Sequence, residues 1–417
     1  MTFRFIHTAD LHLDSPLKTL ALRDAELSSV IANATRQAFV RIVDACLSET
    51  VDALIIAGDL YDGEIRDMAT PLFLGVQFKR LHDANIPVFI VQGNHDAASI
   101  VTRQLSLPSN VIVFSTGGNY EPIDTKGVVI HGVSFPTGKV SSSLIPRFKP
   151  PVQGLINIGI LHTSLVSSEG HDVYAPCAVN DLIRQDYTYW ALGHIHKRQV
   201  HSTVPAIVMP GIPQGRDINE SGPKSATLVT INDNGLVELE EIHTSLAQFE
   251  RVNVDLTDCH DMYMVTDRMK TALSLERDCV NADMLIARLH LSGVTPMANR
   301  LRRDADLLRA EAVQAAMRVG KTLIDAVECR TVDVTTICAE GVDPISDIRR
   351  LLTGNDDAIT KLTPRAVTLI KELSATLPPE LRDYFGCDES EIGALAQNLI
   401  LEGSEDILAQ LSSGNDT

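Results

Sequence analysis

The stretch VFIVQGNHD, residues 88–96, constrains this chain more than any other. An apolar, β-branched run stops at Gly93 and then presents Asn94, His95 and Asp96. A short unbroken apolar run closed by a turn residue reads as a strand buried on both faces, as in a parallel sheet. Gly93 permits a sharp exit and leaves the polar triplet at the strand's carboxyl end, where open α/β sheets hold their ligands. The same design recurs. FRFIHTADLH (3–12) ends in Asp10 and His12, and DALIIAGDLYD (52–62) ends in Asp59 and Asp62. INIGILH (156–162) ends in His162, and TYWALGHIH (188–196) ends in His194 and His196. Apolar strands spread over nearly half the chain thus deliver Asp, Asn or His at one end.

The intervening sequence predicts helices over roughly 24–49 and 68–83, from apolar residues at helical spacing, with Pro71 tolerated in a first turn. This βαβαβ order argues for a layered α/β domain. Shorter apolar runs at 111–114, 127–135, 206–210, 226–231 and 236–242 read as further strands. NDNG (232–235) reads as a hairpin turn between the last two. The sheet is therefore not all parallel, and two stacked sheets flanked by helices are expected. Residues 136–151 are rich in Pro, Ser and Gly and read as a surface loop. Its Lys139, Arg147 and Lys149 either grip a polyanion backbone or are simply solvated.

Residues 250–335 read as a separate α+β unit, with strands at 251–256 and 284–293 around a helix that carries Met262, Val265, Met269 and Leu273. Arg300, Arg302, Arg303 and Arg309 then form either a DNA-facing patch or a charged helix face interleaved with Asp304 and Asp306. Residues 343–417 are helical in pattern. DPISDIRRLLTG (343–354) reads as a capped helix, and Leu395, Ile400 and Leu401 as one apolar face.

The length of 417 residues allows two or three domains. The longest apolar runs are strand-sized, so no membrane span is expected. The start lacks a basic region followed by an apolar core, so no signal peptide is expected and the predicted location is cytoplasmic. Seven scattered cysteines without a CxxC fit reduced thiols. The net charge of −18 counts against strong metal-free binding to nucleic acid. Residues 336–417, with 15 acidic and 6 basic side chains, are the poorest DNA contact.

The candidate ligands are Asp10, His12, Asp59, Asn94, His162, His194 and His196, all oxygen or imidazole donors. With positions left open for water and substrate, this set suits two octahedral-type cations better than one. It is too rich in nitrogen for Mg²⁺ or Ca²⁺ and suits Mn²⁺, Fe²⁺, Zn²⁺ or Co²⁺. Two such cations about 3.5–4 Å apart clamp the attacking and leaving oxygens of a phosphoryl transfer. Asp59 is the natural shared ligand, because its carboxylate offsets the repulsion of two close dications. His95 is left for catalysis, either stabilising the transition state or protonating the leaving oxygen, with Asp96 holding its imidazole. Lys197 and Arg198 are either phosphate contacts or loop residues. Arg216 either meets substrate or pairs with Asp217 or Glu220. His7 reads as a buried structural imidazole, and His171 is a candidate for a supporting role near His162.

Taken together, DLH (10–12), GDLYD (58–62), GNHD (93–96), ILHTS (160–164) and GHIH (193–196) resemble the motif set of the calcineurin-like metallophosphoesterase superfamily. Within it, FIHTADLHLD, AGDLYD and ALGHIH resemble the SbcD-type DNA repair exonucleases, and residues 193–220 are similar to the YhaO-like branch. The resemblance implies a four-layer α/β/β/α metallophosphoesterase sandwich at 1–245. It also implies a small α+β capping domain at 246–338 and a helical partner-docking region at 339–417. It implies a Mn²⁺-dependent hydrolase acting as exonuclease and endonuclease on DNA, a homodimer, and an SMC-like coiled-coil ATPase partner. Carried over by position, one metal takes Asp10, His12, Asp59 and His196, and the other takes Asp59, Asn94, His162 and His194. His95 becomes the catalytic histidine. Asp62 stands where some relatives carry a histidine, and an acid cannot donate as an imidazolium does. A phosphoesterase for small substrates and a metal-poor scaffold are the competing classes. Gly63 and Asp96, where phosphoprotein phosphatases carry Arg and Glu, weaken the phosphoprotein case, and the complete ligand set disfavours the scaffold.

Overall fold

The computed structural model describes residues 2–15, 25–61, 69–98, 107–165, 174–333, 356–376, 385–386 and 388–411. Asp62, His171 and the segment 343–354 lie outside the described residues. The chain divides into two compact units. One comprises Met1–Glu250, Arg277–Ala287 and Lys321–Asp325; the other comprises Arg251–Glu276, Arg288–Gly320 and Ala326–Thr417.

The first unit is built on two six-stranded sheets. In the first sheet, β1 (Phe3–Thr8), β2 (Ala53–Ala57), β3 (Val88–Val91) and β4 (Val111–Val113) run parallel. The second sheet places β5 (Asn119–Ile123) antiparallel to β6 (Val128–Val133), beside parallel β7 (Ile156–His162) and β8 (Tyr189–Gly193). It is completed by β9 (Gln199–Thr203) and β10 (Ala206–Met209), with β10 parallel to β8. The chain then returns to the first sheet with the hairpin β11 (Ser225–Ile231) and β12 (Val237–His243), adding two antiparallel strands at the β1 edge. Among the described residues of this unit, the α-helices between the strands are α1 (Ala25–Ser48), α2 (Ala69–Asp83), and two single turns, α3 (Asn94–Ala98) and α4 (Val179–Ile183).

Strand alternation explains the layers. Phe5, Ile55, Phe89 and Val229 face Ile130, Ile158, Tyr189 and Val208 in one buried cluster between the two sheets. The opposite faces of β1, β2 and β3 present Ile6, Leu54, Ile56 and Ile90 to Phe39, Ile42 and Cys46 of α1 and to Leu74 and Phe78 of α2. Because both faces are covered, these strands read as unbroken apolar runs in the sequence.

The outer face of the second sheet has a thinner cover. The segment expected to be a surface loop supplies it: Val140, Leu144, Ile145 and Phe148 are buried against Leu161, Trp190 and Leu192, together with Leu182 of α4. Phe148 and Trp190 meet edge to face at 4.9 Å, and the Trp190 indole donates to the Leu182 carbonyl. Lys139, Arg147 and Lys149 remain exposed on the same segment. The loop is irregular because Pro and Gly break its pattern, yet its apolar residues complete a layer.

His7 lies fully buried on β1, bonded to the Tyr189 hydroxyl at 2.9 Å and the Leu192 carbonyl at 3.1 Å. Burial pushes its pKa down to about 3, a shift that the bond to Leu192 only partly opposes. In the unfolded chain this imidazole protonates near pH 6.5, so its contribution is intact above that pH and is lost as pH falls toward 3. The loss amounts to about 1.4 kcal/mol per pH unit. His7→Gln should therefore give a shallower fall in the urea-unfolding free energy between pH 6.5 and 4.5 than the wild type. Equal slopes would remove His7 from the account of acid sensitivity.

A third sheet has the order β13 (Ala247–Asp255), β14 (Met284–Val294), β15 (Thr322–Val332). The expected helix is α5 (Met262–Cys279), which buries Val265, Met269 and Leu273. Strand β15 escapes a sequence reading because Asp325, Glu328 and Arg330 interrupt its alternation and much of it is half exposed. In the second unit, α6 (Ala298–Arg303) and α7 (Ala305–Val319) are followed by α8 (Asp356–Thr376) and α9 (Glu389–Leu411). Arg300 and Arg303 pair with Asp304, and Arg302 reaches Asp406, so the arginine cluster is laced with carboxylates. The buried face of α9 runs over Ala396, Ser404, Leu408 and Ala409, and Leu401 is exposed. Among the described residues, no helix is long and apolar enough to cross a membrane.

Candidate active site

The loops that leave β1, β2, β3, β7 and β8 meet at one end of the two sheets. Their backbones are bonded to one another: Asp10 N–H donates to the Gly58 carbonyl at 2.9 Å, His12 N–H to Asp59 at 3.1 Å, and Thr163 N–H to Gly193 at 3.1 Å. Two glycines are required by this crowding. A Cβ on Gly93 would run into the Asp59 carboxylate and backbone, and one on Gly193 would strike the Ala57 carbonyl. Asp10, His12, Asp59 and His194 all take positive φ, at 53°, 41°, 52° and 104°. Aspartate tolerates this region, but a histidine at such a φ costs roughly 1–3 kcal/mol, and such strain gathers at functional sites.

The strained backbone aims donors inward. His12 Nε2 lies 3.1 Å from His196 Nε2. His162 Nε2 lies 3.2 Å from Asp59 Oδ2 and 3.0 Å from Asn94 Oδ1. Three overlapping sets bring their ligand atoms within 4.8 Å of one another: Asp10, His12 and His196; His12, Asp59 and His95; and Asp59, His162 and His194. The second and third sets share Asp59, and the first and second share His12. The His95 ring packs edge to face on His12 at 4.9 Å, and the His95 backbone N–H donates to Asp59 Oδ1 at 3.0 Å.

The donor set fits cations. His162 Nδ1 faces the Ala57 carbonyl at 2.9 Å, which only accepts, so Nδ1 donates. In the neutral ring, Nε2 is then a lone pair facing two oxygen acceptors. Without a cation that conflict is relieved only by protonation. Burial alone would lower the His162 pKa, but the Asp59 and Asp10 carboxylates and the bond to Ala57 push it up to about 9. Burial raises Asp10 above the usual carboxylate range, against the pull of His162 and His196. Burial would also raise Asp59, but His162, His12 and His95 hold it below the usual range. The His162 imidazolium proton thus stands where a metal's charge would otherwise sit.

All seven predicted ligands converge here, with Asp10, His12, Asp59 and His162 buried. Asp96 is 2% exposed, and its carboxylate accepts the backbone N–H groups of Leu60, Tyr61 and Gly93. It joins the loop after β2 to the loop after β3. Burial and the Asp59 charge push it up to about 6 despite those donors. Lys197 is exposed. Arg198 pairs with Glu241 at 2.9 Å and donates to Thr227, which ties it to β11 and β12. Arg216 is bonded to Glu220. Sequence reasoning offered Glu220 only as a partner of Arg216 and missed its contact with the site, where its Oε1 lies 2.7 Å from His196 Nδ1. Its only signal was its nearness to Arg216 in a Gly/Pro-rich segment.

Residues 3–198 match the calcineurin-like phosphoesterase family, and residues 249–332 match the middle domain of metallophosphoesterase YhaO. The chain is 34% identical to the uncharacterized metallophosphoesterase YhaO of Bacillus subtilis (strain 168), over 70% of this chain and 72% of that one. It is 22% identical to the DNA double-strand break repair protein Mre11 of Sulfurisphaera tokodaii, over 66% of this chain and 69% of that one. A dimetal phosphatase from Danio rerio aligns over 58% of this chain and 99% of its own, with 12% identity and a TM-score of 0.36. That score adds nothing to the sequence matches. The donor sets and the long YhaO match agree: this chain is a YhaO-like member of the calcineurin-like phosphoesterase family, a metal-dependent hydrolase.

Proposed function

We propose that the protein is a two-cation, Mn²⁺-dependent DNA nuclease, with exonuclease and endonuclease activity, that serves DNA repair. The observation that carries the reading is the set of three overlapping donor clusters sharing Asp59 and His12. In this reading one cation is held by Asp10, His12, Asp59 and His196, and the other by Asp59, Asn94, His162 and His194. Bound there, the pair supplies positive charge to the attacking and leaving oxygens of a phosphodiester. The ligand chemistry equally admits Fe²⁺, Zn²⁺ or Co²⁺. Similarity, at 22%, to a DNA double-strand break repair protein Mre11 supports DNA over a small ester.

His95 acts on the substrate, through transition-state stabilisation or protonation of the leaving oxygen. Asp59 holds its backbone, and Asp96 fixes the loop that carries it. Exposed Lys197 meets the phosphodiester backbone. Arg198 and Arg216, each paired with a glutamate, shape the loops beside it. In this reading Asp62 contacts the substrate. Residues 1–245 form the nuclease domain, 246–338 an α+β cap, and 339–417 the docking region for an SMC-like coiled-coil ATPase. The working form is a cytoplasmic homodimer.

The test is cleavage by the purified protein of end-labelled linear duplex and of bis-p-nitrophenyl phosphate, with and without Mn²⁺. Manganese-stimulated loss of duplex ends is expected. Hydrolysis of the small diester with every DNA substrate left intact would make the protein a small-molecule phosphoesterase instead.

A further inference from the structure

We propose that Glu220, clamped by Arg216, is a positioning residue that sets the tautomer and aim of His196 at the metal centre. The inference deepens the two-cation reading and rests on it. An ionised carboxylate only accepts, so Glu220 Oε1, 2.7 Å from His196 Nδ1, places the ring proton on Nδ1. The Nε2 lone pair is thereby turned inward, toward His12 Nε2 at 3.1 Å and into the donor set with Asp10. Glu220 sets its negative charge against the Arg216 guanidinium, whose Nη2 lies 2.9 Å from Oε1.

Arg216 fixes the carboxylate from two directions. Its backbone N–H donates to Oε2 at 2.8 Å, and its guanidinium reaches Oε2 at 3.3 Å and Oε1 at 2.9 Å. The segment beneath is itself anchored. Ile212 N–H donates to the His196 carbonyl at 3.0 Å, so the two loops are joined independently of the side chains. Asp217 caps the turn Ile218–Glu220 by accepting from Asn219 N–H at 2.7 Å. The buried Gln214 amide bonds to Leu246 and Ala247. His162 is oriented in the same manner but by the neutral Ala57 carbonyl. A carboxylate makes the imidazole a stronger donor than a carbonyl does, so the two cation positions differ in basicity.

The test uses the full chain as wild type, Glu220→Gln, Glu220→Ala and Glu220→Asp. Mn²⁺ binding is measured by calorimetric titration, and the metal-free histidine rings by ¹⁵N NMR. The wild type is expected to bind two ions and to show His196 as the Nδ1–H tautomer. Glu220→Ala should weaken one ion by about 10–100-fold, leave the other unchanged, and mix the tautomers. Glu220→Gln, which keeps an acceptor, should restore the tautomer and most of the affinity. Glu220→Asp keeps the charge but shortens the reach, and it should behave as Ala does, which covers the case in which Glu220→Ala fails to fold. Unchanged Mn²⁺ isotherms and an unchanged His196 tautomer in both Ala and Asp variants would overturn the proposal. A wild type binding fewer than two ions would instead sink the two-cation reading, and the metal-free tautomer would still decide the role of Glu220.

Discussion

His95→Ala is expected to leave two Mn²⁺ ions bound and to lower phosphodiester cleavage roughly a hundred- to ten-thousandfold, the usual worth of a positioned acid–base group. The geometry makes this a sharp test. His95 is held from behind, by its backbone N–H on Asp59 and by the edge-to-face contact with His12, so its ring has little freedom to wander. Yet its ring nitrogen also falls within ligand distance of His12 and Asp59. The two roles separate in one measurement. If metal analysis of the purified variant shows one ion gone, His95 is a ligand and the acid–base role passes elsewhere. If both ions remain and the turnover number is unchanged, it has neither role.

Asp59→Asn should have an effect as large and of a different kind. Asp59 contributes Oδ2 toward His162 and His12 and Oδ1 to the His95 backbone, so one carboxylate serves two donor sets and the catalytic loop. An amide keeps the shape, and the protein should still fold. It loses the charge that balances two dications, and metal occupancy is expected to fall at both positions. Activity should drop by roughly a thousandfold, equivalent to about 4 kcal/mol. In the metal-free variant His162 should titrate lower than in the wild type, because the attraction of Asp59 raises it and burial opposes that rise. A variant that retains two ions and full activity would show that Asp59 is not shared.

The strands and their polar ends were legible because β1, β2, β3, β7 and β8 are covered on both faces, which writes each as an unbroken apolar run ended by its functional residues. The hairpin β11–β12 was legible from its turn residues. The segment 136–151 is the expected surface loop, but the burial of its Val140, Leu144, Ile145 and Phe148 was not legible, because irregular backbone hides which side chains point inward. Strand β15 was missed because charged residues occupy a half-exposed face. Within the site, first contacts could be read from spacing, since each follows a strand. Glu220 could not, because its value depends on a loop from a later part of the chain bending back to His196. Asp96 shows the same limit: its identity is visible in GNHD, but its three backbone donors belong to two different loops.

The Asp96 carboxylate has a further consequence. By knotting the exits of two strands through main-chain amides, it braces the polypeptide around the site with contacts that need no ion, so the fold is expected to form without one. Assembly and charging are then separate events, unlike small zinc modules in which the ion drives collapse. Chelation should leave an idle but intact protein, and reloading should be quick. The inventory of divalent ions in the surrounding medium, rather than the history of the fold, then decides which one occupies the cradle.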